Sequence, residues 1–209
     1  MTTTPATTYP ISSRETLTAA LEEILRGGTA PVALALSDLD GFADINRNRG
    51  QELGDQVLAL WEQTFQSNVP SDATVLRLGG DEYVAILPAL SVENALIVLE
   101  EIRSHFARRV EGALGVACTT SIGVAANPPH GTTADSLFQA AGQALMRAKR
   151  DGGNRSAIYV EEKMVLKSNY YSRANLERLA KISAATNRTE ASLLRQSLDD
   201  LIERFRDQI

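Results

Sequence analysis

The chain has 209 residues, 44% of them hydrophobic, and a formal charge of −5. That length allows one good core plus a small extra module, and the acidic balance gives no general pull toward nucleic acid or a membrane surface. A single cysteine, Cys118, excludes an internal disulfide framework, and no apolar run approaches the ~18 residues of a membrane span.

The start "MTTTPATTYP" has neither the basic nor the apolar region of a secretory signal, so the chain is expected to be soluble and cytoplasmic. Residues 1–10 read as a flexible N-terminus. "SSRETLTAALEEILRGG" predicts a capped helix with Leu17, Leu21 and Leu25 on one face and a stop at Gly27-Gly28. "PVALALSDL" reads as a largely buried strand ending at Asp38. In "LGDQVLALWEQTF" the spacing of Leu53, Val57, Leu60, Trp61 and Phe65 predicts a helix with one apolar stripe. Two strands, Val75–Leu78 and Tyr83–Leu87, flank Gly79-Gly80 and form a hairpin. A long helix in "SVENALIVLEEIRSHFARRV" follows, then a strand in "ACTTSIGVA", a helix in "ADSLFQAAGQALMRAKR" and an edge strand in "SAIYV". Strands alternating with helices around one hairpin indicate an α/β sandwich with a mixed sheet.

The chemistry gathers in two places. Asp38 and Asp40 end an apolar strand, where α/β proteins place their ligands, and Asp81 and Glu82 follow the hairpin glycines. If those strands pair, carboxyl oxygens converge, and like charges at short range resist ionisation unless a cation joins them. Mg²⁺, or Mn²⁺, is the hard divalent ion suited to such oxygens. A solvated acidic hairpin would use the same residues without a ligand. The two histidines, His105 and His130, lie far apart and offer no zinc spacing. Cys118 reads as a small core residue, and Trp61 as packing between helix and sheet.

"SDLDGFADIN…GQELGDQVL", "RLGGDEY", "TTSIGVA" and "AGQALMRAKRDGGNR" together resemble the GGDEF domain, the catalytic domain of diguanylate cyclases, over roughly Arg14 to Val160 of a domain bounded at 11–160. The resemblance implies an adenylyl cyclase or polymerase palm-like fold and the condensation of two GTP into cyclic di-GMP across a homodimer. It further implies metal binding by Asp38, the Leu39 carbonyl and Asp81, with Glu82 as a second catalytic acid. Asn46 and Asp55 match the guanine-reading positions, Phe42 matches a substrate-binding position, and Gly79, Gly80 and Lys149 match positions around the nucleotide phosphates. Several positions depart from the family pattern. Ala43 follows Phe42 where a lysine is usual, Asn46-Arg47 stands for "ND", Gly50-Gln51 for "GH", and Gly153 for a phosphate-holding arginine. Weaker GTP binding is expected, with Arg47, Arg49 or Arg150 as possible substitutes. Pro70 and Ala73 occupy the two places of the family's product-inhibition motif, which predicts that feedback is missing. In the opening motif Ile11 and Arg14 remain, but the leading aspartate and glycine do not.

From residue 161 the pattern changes to a short strand in "EEKMVLKSNYY" and two helices in "SRANLERLAKISAAT" and "TEASLLRQSLDDLIERF". This stretch, 161–209, resembles a ribbon-helix-helix module, whose paired strands enter the DNA major groove. The resemblance implies a homodimer, with Val165, Lys167 and Asn169 outward toward double-stranded DNA and Thr189 capping the second helix near a phosphate. A dimerisation clasp is the competing reading. It is supported by the near-balanced charge and by Glu190, which would repel phosphate in the first turn.

Overall fold

Hydrophobic spacing and cap chemistry build the chain into two units, Met1–Glu162 and Lys163–Ile209. The computed structural model describes residues 13–28, 31–161, 170–186 and 188–205. The flexible N-terminus expected at residues 1–10 therefore lies outside the described residues, as does the tail strand with Val165, Lys167 and Asn169.

The first unit is a five-stranded sheet of order β2-β3-β1-β4-β5, made of β1 (Val32–Asp40), β2 (Thr74–Gly79), β3 (Glu82–Pro88), β4 (Thr119–Asn127) and β5 (Ser156–Ile158). The four longer strands pair antiparallel and β5 joins β4 in parallel, so the sheet is mixed. Alternation along β1 sorts the helices into two layers. Ala33, Ala35 and Leu39 face a cluster built with α2 (Phe42–Arg49), α3 (Gln51–Asn68) and α4 (Val92–Leu114). Val32 and Leu34 face the other cluster, built with α1 (Arg14–Arg26) and α5 (Ala134–Arg150).

Local signals explain the boundaries. Ser13, Ser91 and Thr133 each accept from the first turn of α1, α4 and α5. The sheet-facing side of α5 is a row of small residues, Ala140, Ala141, Ala144 and Ala148, all buried. Gly123 of β4 lies beneath them. A Cβ there would stand 2.1 Å from the Ala141 carbonyl oxygen and 2.2 Å from the Leu145 amide, so helix and strand touch backbone to backbone.

Three features differ from the sequence expectation. β1 continues two residues beyond Asp38, because Leu39 and Asp40 keep pairing with Thr120 and Thr119 of β4. A separate helix, α2, forms in "FADINRNR", entered through left-handed Gly41 at φ 72°. The hairpin reverses at Gly80-Asp81 rather than Gly79-Gly80, since Gly79 still pairs with Glu82. Gly80, at φ 54°, is the left-handed first central residue that a type II′ turn requires.

The second unit contains α6 (Arg173–Thr186) and α7 (Glu190–Arg204). Ser172 caps α6, its hydroxyl accepting from Asn175 N at 3.2 Å, and Thr189 caps α7 in the same way through Ser192 N at 3.2 Å. No residue of α6 is buried. Leu176, Ile182, Leu194, Leu198 and Leu201 of the helix pair stand exposed.

Candidate active site

Strands β1 and β3 end side by side with acids at their ends. Asp38 is paired directly with Glu82 on the last rung of their ladder. Both side chains project toward α5, in step with Leu34 and Val84, which pack there. Asp81 occupies the turn beside them. From the last turn of α5, Lys149 places Nζ 2.6 Å from Asp38 Oδ2, a favourable end of the helix for a cation.

Burial pushes the Asp81 carboxyl above its ordinary value and the Asp38 charge adds to the rise; a backbone hydrogen bond and Lys149 oppose it. Asp38 and Asp81 thus share the Lys149 ammonium, with Glu82 exposed beside them, and the surplus of negative charge favours a hard divalent cation.

Backbone direction supplies a third oxygen. Ile122 N donates to Arg155 O and Val124 O accepts from Tyr159 N, so even-numbered residues of β4 turn their amides toward β5. Ser121 therefore turns toward its partner Asp38, and Leu39, next along β1, turns its carbonyl to the β3 side. That ladder has already ended at Asp38, which leaves the Leu39 carbonyl facing the mouth of the hairpin. Among the described residues no three His, Cys, Asp or Glu side chains group closely enough to hold a metal ion. The oxygens this sheet end offers are the Asp38 and Asp81 carboxylates and the Leu39 carbonyl, donors of the hard kind that Mg²⁺ or Mn²⁺ takes.

Asp40 does not join this set. Its carboxylate accepts from Thr119 Oγ1 at 2.8 Å, Ser121 Oγ at 2.7 Å and Asn154 N at 2.9 Å. It fastens the turn after α5 to the sheet. A Cβ at Gly153, whose φ is 69°, would approach the Asp40 carboxylate to 3.1 Å. The place where a phosphate-holding arginine was expected is thus committed to a tight turn.

The expected base-reading residues stand on neighbouring helices, Asn46 on α2 and Asp55 on α3. Gly54 lets those helices close. A Cβ on it would lie 1.9 Å from Asn46 Oδ1. Asn46 is half-buried and Asp55 exposed. Phe42 packs into the core at 8% exposure, so its side chain does not line the opening. Arg47 is paired with Asp44 at 3.0 Å on the exposed side of α2.

On the opposite sheet face lies a polar group that periodicity did not reveal. The Tyr83 hydroxyl donates to Glu62 Oε1 at 2.9 Å, and Arg77 Nη1 lies 3.8 Å from the same oxygen. Burial and the Glu62 charge hold the Tyr83 hydroxyl far above the ordinary phenol range. The available signal was an acid inside the apolar stripe of Val57, Trp61 and Phe65.

Comparison with known proteins places these features in context. The family model described as "Diguanylate cyclase, GGDEF domain" matches residues 11–155. Response regulator PleD of Caulobacter vibrioides is 32% identical over 151 residues, which cover 69% of this chain and 33% of that protein. The chain thus spans about a third of that relative's length. The structure of the active GGEEF domain of a diguanylate cyclase from Vibrio cholerae superimposes with a TM-score of 0.67 at 28% identity, covering 73% of this chain and all (100%) of that one. The GGDEF domain of DgcB from Caulobacter crescentus, in complex with c-di-GMP, gives a TM-score of 0.64 at 26% identity, covering 76% of this chain and 98% of the other.

Proposed function

Because the chain belongs to the GGDEF diguanylate cyclase family, we propose that its first unit joins two GTP molecules into cyclic di-GMP, with two copies of the chain facing each other. The observation that carries this reading is the meeting of Asp38, Asp81 and Glu82 at one sheet end with Lys149 as the neighbouring cation. Asn46 and Asp55 would hold guanine, the amide serving the acceptor edge and the carboxylate the donor edge. The unpaired amides at the start of α2, beside Gly41, would receive a phosphate. Asp38, the Leu39 carbonyl and Asp81 would hold Mg²⁺ or Mn²⁺, which when bound offsets charge on the phosphates and lowers the pKa of a coordinated hydroxyl. Glu82, exposed beside Asp38, is placed to accept a proton from an arriving 3′-hydroxyl. In each half-reaction the 3′-oxygen bonds to the α-phosphorus of the other GTP, the bond to pyrophosphate breaks and the hydroxyl proton departs. The two copies must align these groups, and proximity supplies most of the rate.

Purified full-length protein incubated with GTP and Mg²⁺ or Mn²⁺, its products separated by chromatography, tests the reading. Cyclic di-GMP is the expected product. A chain ending at Val160 is expected to make less, because the second unit would hold two copies together through Leu176, Ile182, Leu194, Leu198 and Leu201. No product at high protein and GTP concentration would end the stand-alone enzyme reading.

Gly54→Ala separates base reading from chemistry. The added methyl must displace the Asn46 amide, while the helix itself gains about 1 kcal/mol of propensity. KM for GTP is expected to rise roughly tenfold with kcat within about twofold, the pattern of lost ground-state binding. An unchanged KM would remove Asn46 from the base site.

A second reading is favoured by Ala43 and Gly153, which stand where the family places phosphate-binding cations. In it the chain is a guanine-nucleotide-sensing regulator with weak turnover, and the tail, as a ribbon-helix-helix dimer, binds double-stranded DNA through Val165, Lys167, Asn169 and the capped start of α7 at Thr189. A DNA mobility shift that weakens with salt and is lost in Lys167→Ala would favour it.

A further inference from the structure

We infer that Glu62 and Tyr83, acting with Arg77, form a buried latch that sets the acid-bearing turn relative to the base-reading helix; this role rests on the cyclase reading above. Tyr83 is fully buried and Glu62 is 4% exposed. A buried phenol hydroxyl requires a partner, and a buried carboxylate requires both hydrogen bonds and a counter-charge. Each answers the other at 2.9 Å, with Arg77 supplying the charge at 3.8 Å from Glu62 Oε1.

Arg77 carries the connection onward to the turn. It is paired with Tyr83 across the β2–β3 hairpin, its guanidinium lies 5.8 Å over the Tyr83 ring, and its Nε donates to Gly80 O at 2.9 Å. The residue after Gly80 is Asp81. A continuous path of contacts thus runs from Glu62 on α3 to the peptide that presents the metal-binding acid.

At the other end of the path stands the base site. Asp55 and Glu62 are seven residues apart on α3, near two full turns, so they share a face about 10 Å apart along the axis. One rigid helix therefore carries the guanine-reading carboxylate and the anchor of the acid turn. A leucine at position 62 could fill much of the same space at no desolvation cost. The polar contacts instead single out one geometry for the turn. Because the reacting phosphorus must sit at a set distance from both sites, that geometry governs turnover rather than binding. Glu62 and Tyr83 touch no reacting atom and are positioning residues.

The test uses the full chain as wild type, Tyr83→Phe, Glu62→Gln and the double variant. Each substitution keeps the shape of the side chain, and unfolding curves check that each variant folds. Amide hydrogen exchange at Gly79–Glu82 is expected to quicken in both single variants. Turnover is expected to fall about tenfold, the size of one lost hydrogen bond to a charged group, with KM for GTP within about twofold. The double variant should be no worse than the poorer single one, as expected of residues working as a unit. Unchanged exchange at the turn in both single variants overturns the latch, as do losses that add and fall on KM. If the wild type makes no cyclic di-GMP while the turn still loosens in the variants, the cyclase reading falls and the latch stands.

Discussion

Gly123→Ala is expected to lower the unfolding temperature of the first unit by roughly 10 °C, and Gly142→Ala to leave it unchanged or slightly raised. Both glycines lie where α5 crosses the sheet, yet their surroundings differ. A methyl on Gly123 would meet the Ala141 carbonyl oxygen at 2.1 Å, the Leu145 amide at 2.2 Å and the Leu145 Cα at 2.7 Å. These are backbone atoms within a helix and cannot rotate aside. Relief requires α5 to lift off the sheet, opening gaps under Ala140, Ala141 and Ala144. Overpacking of this kind costs about 3 kcal/mol or more, a large share of the ~5–15 kcal/mol that holds a domain together. A methyl on Gly142 would meet only the Leu36 Cδ1 at 3.9 Å, an ordinary contact. It would also gain about 1 kcal/mol of helix propensity. Equal behaviour of the two variants in thermal or denaturant unfolding would refute the backbone contact between α5 and β4. Gly123→Ala should also lower turnover at temperatures where it is folded, because α5 carries Lys149 to Asp38.

Asp81→Asn is expected to reduce cyclic di-GMP synthesis on the order of a thousandfold while making the protein more stable at neutral pH. The two effects share one cause. The Asp81 carboxyl is raised above its ordinary 3.8 by burial and by Asp38, so across the window above 3.8 the native state binds more protons at this site than the unfolded chain does. Stability then falls as pH rises through that window, and above it the charged carboxylate is a net cost. Asparagine never carries that charge. The unfolding temperature of Asp81→Asn should exceed that of the wild type at pH 7, and the difference should shrink as pH drops toward 3.8. Added Mg²⁺ should raise the wild type and leave the variant nearly unmoved, since a ligand stabilises only the state that binds it. A variant that is less stable at pH 7 would refute the charge cost at Asp81, and one that responds to Mg²⁺ as the wild type does would remove Asp81 from the proposed metal ligands.

Much of the architecture was legible because it depends on short-range pattern. The stripe of Leu17 and Leu21, the spacing of Val57, Trp61 and Phe65, and the unbroken apolar run Tyr83–Leu87 in β3 each declare an element without reference to distant residues. Helix α2 was not legible. It buries only Phe42 and Ile45, and it opens on a left-handed glycine instead of a serine or threonine cap. The end of β1 was misjudged for a related reason. An aspartate normally argues against a strand, but Asp40 is held there by Thr119, Ser121 and Asn154, the first two contributed by the partner strand and the third by the turn after α5.

The same division runs through the site. Asp38, Asp81, Glu82 and Lys149 stand at motif positions, and the pairing of β1 with β3 and the last turn of α5 bring them to one end of the sheet. The separation of Asp40 from that group could not be read, because its partners lie about 80 or more positions away in sequence. Phe42 matches a substrate-binding position by motif, while its side chain belongs to the core, which only the packing of α2 on the sheet decides. The pairing of Glu62 with Tyr83 depends on the angle at which α3 crosses β3. An acid within an apolar stripe was visible in sequence, but its partner was not.

Trp61 is the chain's one tryptophan. It is fully buried, stacked on Phe65 at 4.8 Å between ring centroids and edge-on to Phe106 at 5.0 Å and to Tyr83 at 6.3 Å. The protein thus holds a native fluorophore in a dry aromatic nest at the foot of the hairpin, while residues 163–209 hold none. Excitation selective for indole will report the melting of the sheet unit and stay blind to the helix pair, whereas far-ultraviolet dichroism records both. Divergence between the two signals would separate the cooperativity of the two units without a label or a cut in the chain.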